Sequence, residues 1–251
     1  MKCKKLSVYK SVALISLAVL TLFLCLCVSI HFSADRFIKY TQQEVSSVPS
    51  MVSVALTPED AEGLYQNLNL RKEEALQEIP GIGNMDISQD GKFLLATKDS
   101  IWVLDQDFSP QSHFSLTANS AFYVMWNGEN ISIILERGDN CIEITQQGDL
   151  AGAYKISTAD SRNESFFQAI RSRNMWKVGT DSYRLERAPG LLCLFAKGEY
   201  SRLIVTHADG RTETLLDTTG ALWKPTVFFV VVVSVGLVLV TAVIVLKIRH
   251  I

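Results

Sequence analysis

Histidine is scarce in this chain, and nothing in its placement puts it to chemical use. The four histidines, His31, His113, His207 and His250, fall in separate regions with no ligand spacing. No Cys/His set has zinc spacing, and there is neither a Gly-rich phosphate loop nor a nucleophile elbow. The turns at Asp90-Gly91 and Asp209-Gly210 lack the alternating acids of a calcium loop and read as turn chemistry. No catalytic residue, metal ligand or cofactor is therefore expected, and the chain reads as a non-enzyme. Basic residues between the hydrophobic ends are outnumbered by acids, which argues against nucleic acid as a partner.

Charge is missing altogether from two long stretches. Ser11 to Ile30 and Pro225 to Leu246 carry none, and each is rich in Leu, Val, Ile or Phe. About 20 apolar residues cross the ~30 Å of a bilayer core as a helix. A lone segment in hydrocarbon satisfies its backbone only in that form. The expected spans are residues 11–32 and 225–246. A cleaved signal peptide is the rival for the first, since Lys2, Lys4, Lys5 and Lys10 precede an apolar run. Its cleavage site is poor, however, and the run is longer than a usual signal core. Leu24 and Leu26, ahead of Cys25 and Cys27, also argue against a lipoprotein site.

Four lysines lie before the first span, and Lys247 and Arg249 follow the second, while every acid falls between Asp35 and Asp217. Basic flanks stay cytoplasmic. The expected protein sits in the cell membrane as a two-pass chain, with both termini inside and the middle outside. Trp223 and Lys224 stand where an interfacial anchor belongs. Neither span carries a residue suited to lining a pore, which argues against a channel.

Cysteine is too sparse for a disulfide framework. Cys3 would face the cytoplasm, within reach of acylation, and Cys25 and Cys27 read as small apolar residues in the first span. Cys141 and Cys193 are the candidate disulfide, permitted outside the cell, although two cysteines without a dense framework more often stay apart. Asn130-Ile131-Ser132 and Asn163-Glu164-Ser165 match the glycosylation pattern, which matters only in a eukaryotic source.

Residues 1–10 form the N-terminal flank, 33–80 a tether and helical segment, 81–220 the outer domain and 247–251 a short tail. Thr57-Pro58-Glu59-Asp60 is a helix start, and the helical composition runs on to Pro80-Gly81. The stretch from Leu70 to Ile79 reads alternatively as an outer strand of the next domain. Short β patterns then recur with glycine turns at Asp90-Gly91, Asn127-Gly128, Arg137-Gly138 and Asp209-Gly210. The third unit is expected to begin at Pro189-Gly190, with Leu191 to Ala196 as a strand. Between the second and third units, Ser161 and Glu164 fit a capping box. Phe166, Phe167, Arg171, Arg173 and Trp176 follow and form the candidate partner surface, in a composition typical of interface hot spots. Filling the gap between units is the plainer role for the three aromatics.

Residues Ile87 to Thr97, with Ile101-Trp102-Val103-Leu104-Asp105, resemble a blade hairpin of a β-propeller of the WD40-like or NHL-like kind. The resemblance covers about residues 82 to 218 and concerns fold alone. It implies a mainly β outer domain of about three antiparallel blades, where closed propellers use four to eight. Three blades leave open edges. The resulting expectation is a binding or assembly module held in the lipid bilayer, meeting a protein partner or a second copy through blade loops or sheet edges. A ligand sensor acting through a membrane partner, and an enzyme with a dispersed site, are the alternatives.

Overall fold

The computed structural model describes residues 14–30, 47–73, 79–157, 159–195 and 200–248. The lysine-rich start with Cys3, the tether from 33 to 46, Glu74 to Leu76, the expected turn at Lys197-Gly198-Glu199, and Arg249 with His250 lie outside the described residues. The chain divides into two compact units.

The larger unit holds three antiparallel sheets and two helices. Sheet I contains β3 (Asn84–Ile87), β4 (Phe93–Ala96), β5 (Ser100–Leu104) and β6 (Pro110–Ser115), with β2 (Arg71–Lys72) outside β6. Sheet II contains β7 (Phe122–Asn127), β8 (Asn130–Leu135), β9 (Asn140–Ile144) and β10 (Leu150–Ile156), with β1 (Ser53–Ala55) outside β10. Sheet III contains β11 (Met175–Val178), β12 (Asp181–Glu186), β13 (Arg202–Thr206) and β14 (Thr212–Asp217). The mainly β, three-sheet reading therefore stands.

The turns follow from glycine. Gly91, Gly128 and Gly210 sit at φ of 80°, 61° and 82°, the left-handed region that a side chain disfavours. The helix α2 (Pro58–Leu68) starts as its sequence demands: Thr57 accepts from the Asp60 N–H, and Pro58 fills the first turn. It does not run on to Pro80. Asn69 adopts a left-handed cap at φ 46° and ψ 44°, and Arg71 and Lys72 then pair with Ser115 and Phe114. The outer-strand alternative is the one realised.

Two further boundaries differ from expectation. The third unit begins at Met175, because β11 and β12 supply its first two strands. Pro189-Gly190 opens a 3-10 turn over Gly190–Phe195 instead of a strand, with Gly190 at φ 52° and the Leu192 N–H returning to the Pro189 carbonyl. The helix α3 (Ser161–Ser172) is capped by Asp160, which accepts from the Arg162 N–H, so its cap lies one residue before Ser161.

Sheet I is the middle layer, and all four residues of β4 are buried. One face, with Leu94, Ile101, Val103 and Phe114, packs on Val124, Ile131, Ile133 and Ile142 of sheet II, and Ala61 and Leu68 of α2 join that cluster. The other face, with Met85, Phe93, Leu95 and Trp102, packs on Trp176, Leu185 and Leu203 of sheet III. The layers thus run II, I, III and not in chain order. On the far face of sheet II, Phe166 and Ile170 of α3 cover Ile134, Cys141 and Ile156.

The smaller unit contains the apolar helix α1 (Leu14–Ile30), the 3-10 turn and α4 (Thr219–Ile248). Phe195 of the turn meets Phe229 of α4, with ring centroids 5.7 Å apart. Of the described helices, α4 alone is long and apolar enough to cross a membrane, over Thr219–Ile244. It starts before the expected Pro225, which sits inside its first turns. Phe228, Val232, Leu239 and Val243 are exposed, so α4 is not a core helix. Its hydroxyls bond within the helix: Thr226 to Leu222, Ser234 to Val230 and Thr241 to Leu237, each at 2.7 Å to the carbonyl one turn back. That leaves none of these three hydroxyl protons seeking water.

Candidate functional site

Strand β7 is the edge of sheet II, so its alternate N–H groups point away from β8 with no strand beside them. Two of these, on Val124 and Trp126, meet side chains of β3. The Val124 N–H donates to Asn84 Oδ1 at 2.7 Å, and the Trp126 N–H to Asp86 Oδ2 at 2.9 Å. Asn84 and Asp86 are two residues apart on a strand and therefore share one face, matching the two-residue repeat of the donors. Side-chain oxygens here take the place of a neighbouring strand.

The same carboxylate reaches sheet III. Its Oδ1 accepts from Arg173 Nη1 at 2.9 Å and from Trp176 Nε1 at 3.1 Å. Asp86 is 5% exposed, and the Arg173 side chain is 16% exposed with its guanidinium 4.9 Å over the Trp176 ring. Burial pulls the Arg173 pKa down, against the opposing pull of Asp86. One acid on β3 thus joins β7 of sheet II and β11 of sheet III. Three donors from other elements converge on this one carboxylate, which ties it to the fold.

The five candidate partner-surface residues separate. Phe166 and Trp176 are core side chains, each 2% exposed, so they offer no surface, and Arg173 belongs to the Asp86 junction. Burial thus favours the plainer filling role for these two aromatics. Phe167 and Arg171 stay together on α3, where Arg171 bonds Glu136 at 2.6 Å and its guanidinium lies 5.9 Å from the Phe167 ring centre.

The candidate disulfide is not formed. Cys141 and Cys193 are free, the first buried in β9 and the second in the 3-10 turn. Burial, with Glu143 second, pushes the Cys141 thiol up to about 12. Asn163 is unsuited to carry a glycan. It is 1% exposed, its amide N–H groups bond the Val52 and Ser157 carbonyls, and its oxygen accepts from the Val52 N–H.

Sheet III carries two polar clusters of its own. His207 stands between Asp181 at 3.0 Å and Glu213 at 3.6 Å, joining β12 and β14 across β13. On the opposite face Glu186 holds Arg184 and Arg202 at 2.6 and 2.8 Å. Among the described residues no group of three or more His, Cys, Asp or Glu is placed to hold a metal ion.

Each fourth strand, β6, β10 and β14, shows a register shift against its third-strand neighbour. Beyond that shift β6 is paired by β2, and β10 is paired by β1 at Ser53↔Ile156, Val54↔Lys155 and Ala55↔Tyr154. Among the described residues β14 pairs with β13 alone.

No family model matches the chain, and no curated protein matches it. Among solved structures it is similar to a streptogramin B lyase, at 16% identity and a TM-score of 0.27, over 60% of this chain and 45% of that one. It is also similar to virginiamycin B lyase from Staphylococcus aureus, at 11% identity and a TM-score of 0.27, over 57% of this chain and 44% of that one. The chain spans less than half the length of either structure it matches.

Proposed function

We propose that this chain is a membrane-anchored extracytoplasmic binding module that receives an extended segment of a protein partner as the fifth strand of sheet III. The observation that carries it is the difference between the sheets: I and II each end on a short outer strand, whereas sheet III ends on β14. The irregular register of a fourth strand is no obstacle to such pairing, since β6 and β10 share it and accept strands of two and three residues. Strand addition supplies affinity through main-chain hydrogen bonds and specificity through alternate side chains. An outer strand that pairs on one side alone among the described residues is a template for it.

The anchoring half of the reading rests on α4, which follows β14 after the single residue Thr218. Its partner span is α1, whose 17 described residues reach about 26 Å at 1.5 Å per residue. The lysines before α1 and the Lys247 and Arg249 after α4 support a topology with both ends in the cytoplasm.

A photoreactive probe on Thr214→Cys, in intact membranes, should yield a cross-linked adduct, and the same probe on exposed Glu62 of α2 should not. Recovery of only uncross-linked chain from both positions would refute the strand-addition reading. Digestion of the β domain from the cytoplasmic side of sealed vesicles would refute the topology.

A further inference from the structure

The far face of sheet II has two parts. One cross-strand row, Tyr123, Ile134, Cys141 and Tyr154, belongs to the cluster that Phe166 and Ile170 of α3 cover. The next row, Met125, Ser132, Glu143 and Gly152, runs across β7, β8, β9 and β10. Its acid is unusual. Glu143 is 8% exposed, yet its partners are neutral: Asn127 Nδ2 donates to Oε1 at 2.6 Å, and the Tyr154 hydroxyl donates to Oε2 at 3.4 Å. Among the described residues no Lys, Arg or His pairs with it; the nearby Lys155 turns instead to the Gly138 carbonyl, and Arg171 to Glu136.

A carboxylate withdrawn from water without a cation is costly, and an arriving cation removes that cost. The surroundings select the cation. Two donors already touch the oxygens and no second acid or histidine joins them, which disfavours a metal ion. Each oxygen has one neutral donor in place, which obstructs the two parallel bonds of a guanidinium but leaves lone pairs for a compact ammonium. The floor of the row is Gly152, where a Cβ would lie 3.2 Å from the Tyr154 hydroxyl. Half-buried Met125 and Tyr154 flank it with an apolar thioether and an aromatic ring.

We infer that the Met125–Ser132–Glu143–Gly152 row is a binding site for a primary ammonium group on an unbranched apolar stem, either a lysine side chain of a protein or a small alkylamine. Glu143 takes the charge, and Met125 and Tyr154 hold the stem. The site lies on sheet II and does not depend on strand addition at β14, so either can fail alone.

The chain has five methionines, so a methyl-labelled sample of the full protein in detergent gives a short spectrum in which Met125→Leu assigns the Met125 signal. Titration with n-butylammonium should move that signal saturably, with a dissociation constant on the order of 1 mM. The neutral isostere 1-butanol should leave it in place. Glu143→Gln, which keeps an acceptor for Asn127, should weaken binding about tenfold or more while the other methionine signals hold their positions. Should those signals move, Gly152→Ala provides the second variant, since its methyl presses on the Tyr154 hydroxyl and should also weaken binding. A lysine-containing peptide binding more tightly than butylammonium assigns the site to a protein partner, and the reverse order assigns it to a free amine. An unmoved Met125 signal, an equal response to 1-butanol, or the same midpoint in Glu143→Gln overturns the proposal.

Discussion

Replacing Asp86 with alanine takes away the acceptor that sheets II and III both use on sheet I. Three groups lose their partner at once: the Trp126 N–H, the Trp176 indole N–H and the Arg173 guanidinium. Breaking a buried ion pair from one side costs about 3–5 kcal/mol, because the surviving charge stays buried. Each stranded N–H adds about 1–3 kcal/mol, less where water reaches it. These terms overlap, and a net loss of about 4–6 kcal/mol is expected, a large part of the ~5–15 kcal/mol that holds a domain together. Asp86→Asn keeps one oxygen for the Trp126 N–H and should lose roughly half as much. Adding Arg173→Met to Asp86→Ala removes the uncompensated charge, and should restore about 2 kcal/mol. Urea unfolding followed by tryptophan fluorescence reads all three, since Trp126 and Trp176 flank the junction. Asp90→Asn, on an exposed turn, is the control and should stay within about 0.5 kcal/mol. A loss below about 1 kcal/mol for Asp86→Ala, or a double variant no better than the single one, would refute the reasoning.

Three further outcomes are expected. Gly148→Ala should cost about 2–4 kcal/mol in urea unfolding, because Gly148 sits at φ 98° and a Cβ would lie 2.9 Å from a ring carbon of Phe114; Gly128→Ala, with open space around it, should cost only about 1–2 kcal/mol. The folded chain holds the Cys141 thiol neutral up to about pH 12, against 9.0 as the ordinary value, so this residue's contribution is intact below 9.0 and is lost as pH rises toward 12; Cys141→Ala should flatten that decline, and native Cys141 should resist maleimide at pH 8. Asp160, hydrogen-bonded first of all by the Arg162 side chain, is held at about 2, and its contribution to the α3 cap is lost as pH falls from 3.8 through 2; in Arg162→Ala an NMR titration should find its midpoint moved up toward 3.8.

The parts of the fold that were legible in the sequence are those with local causes. The glycine turns needed a left-handed residue where Gly91, Gly128 and Gly210 stand, and the start of α2 needed a cap where Thr57 stands. The illegible parts depend on distant partners. β1 is three residues long, too short to show an alternation, and exists only because β10 offers an edge, whereas β2 falls within the stretch that reads alternatively as an outer strand. Leu191 to Phe195 is apolar enough to pass for a strand, yet Gly190 turns it into a 3-10 coil. The Asp86 junction left one faint signal: Asn84 and Asp86 are polar at alternate positions of a strand that is otherwise apolar and buried. The role of Asp86 emerges only when its three donors are brought to it from residues 126, 173 and 176.

The placement of β1 sets an order of events during synthesis. Ser53 finds its partner at Ile156, a hundred positions later in the chain, and Val52 is clasped by Asn163 beyond that. Emerging from the ribosome early, this stretch has no docking edge until sheet II is complete and α3 has begun to wind. A nascent chain halted before residue 150 would therefore carry its leading segment unpaired, an exposed β-former. Such an intermediate is a natural target for a chaperone, and for a protease if α3 is delayed.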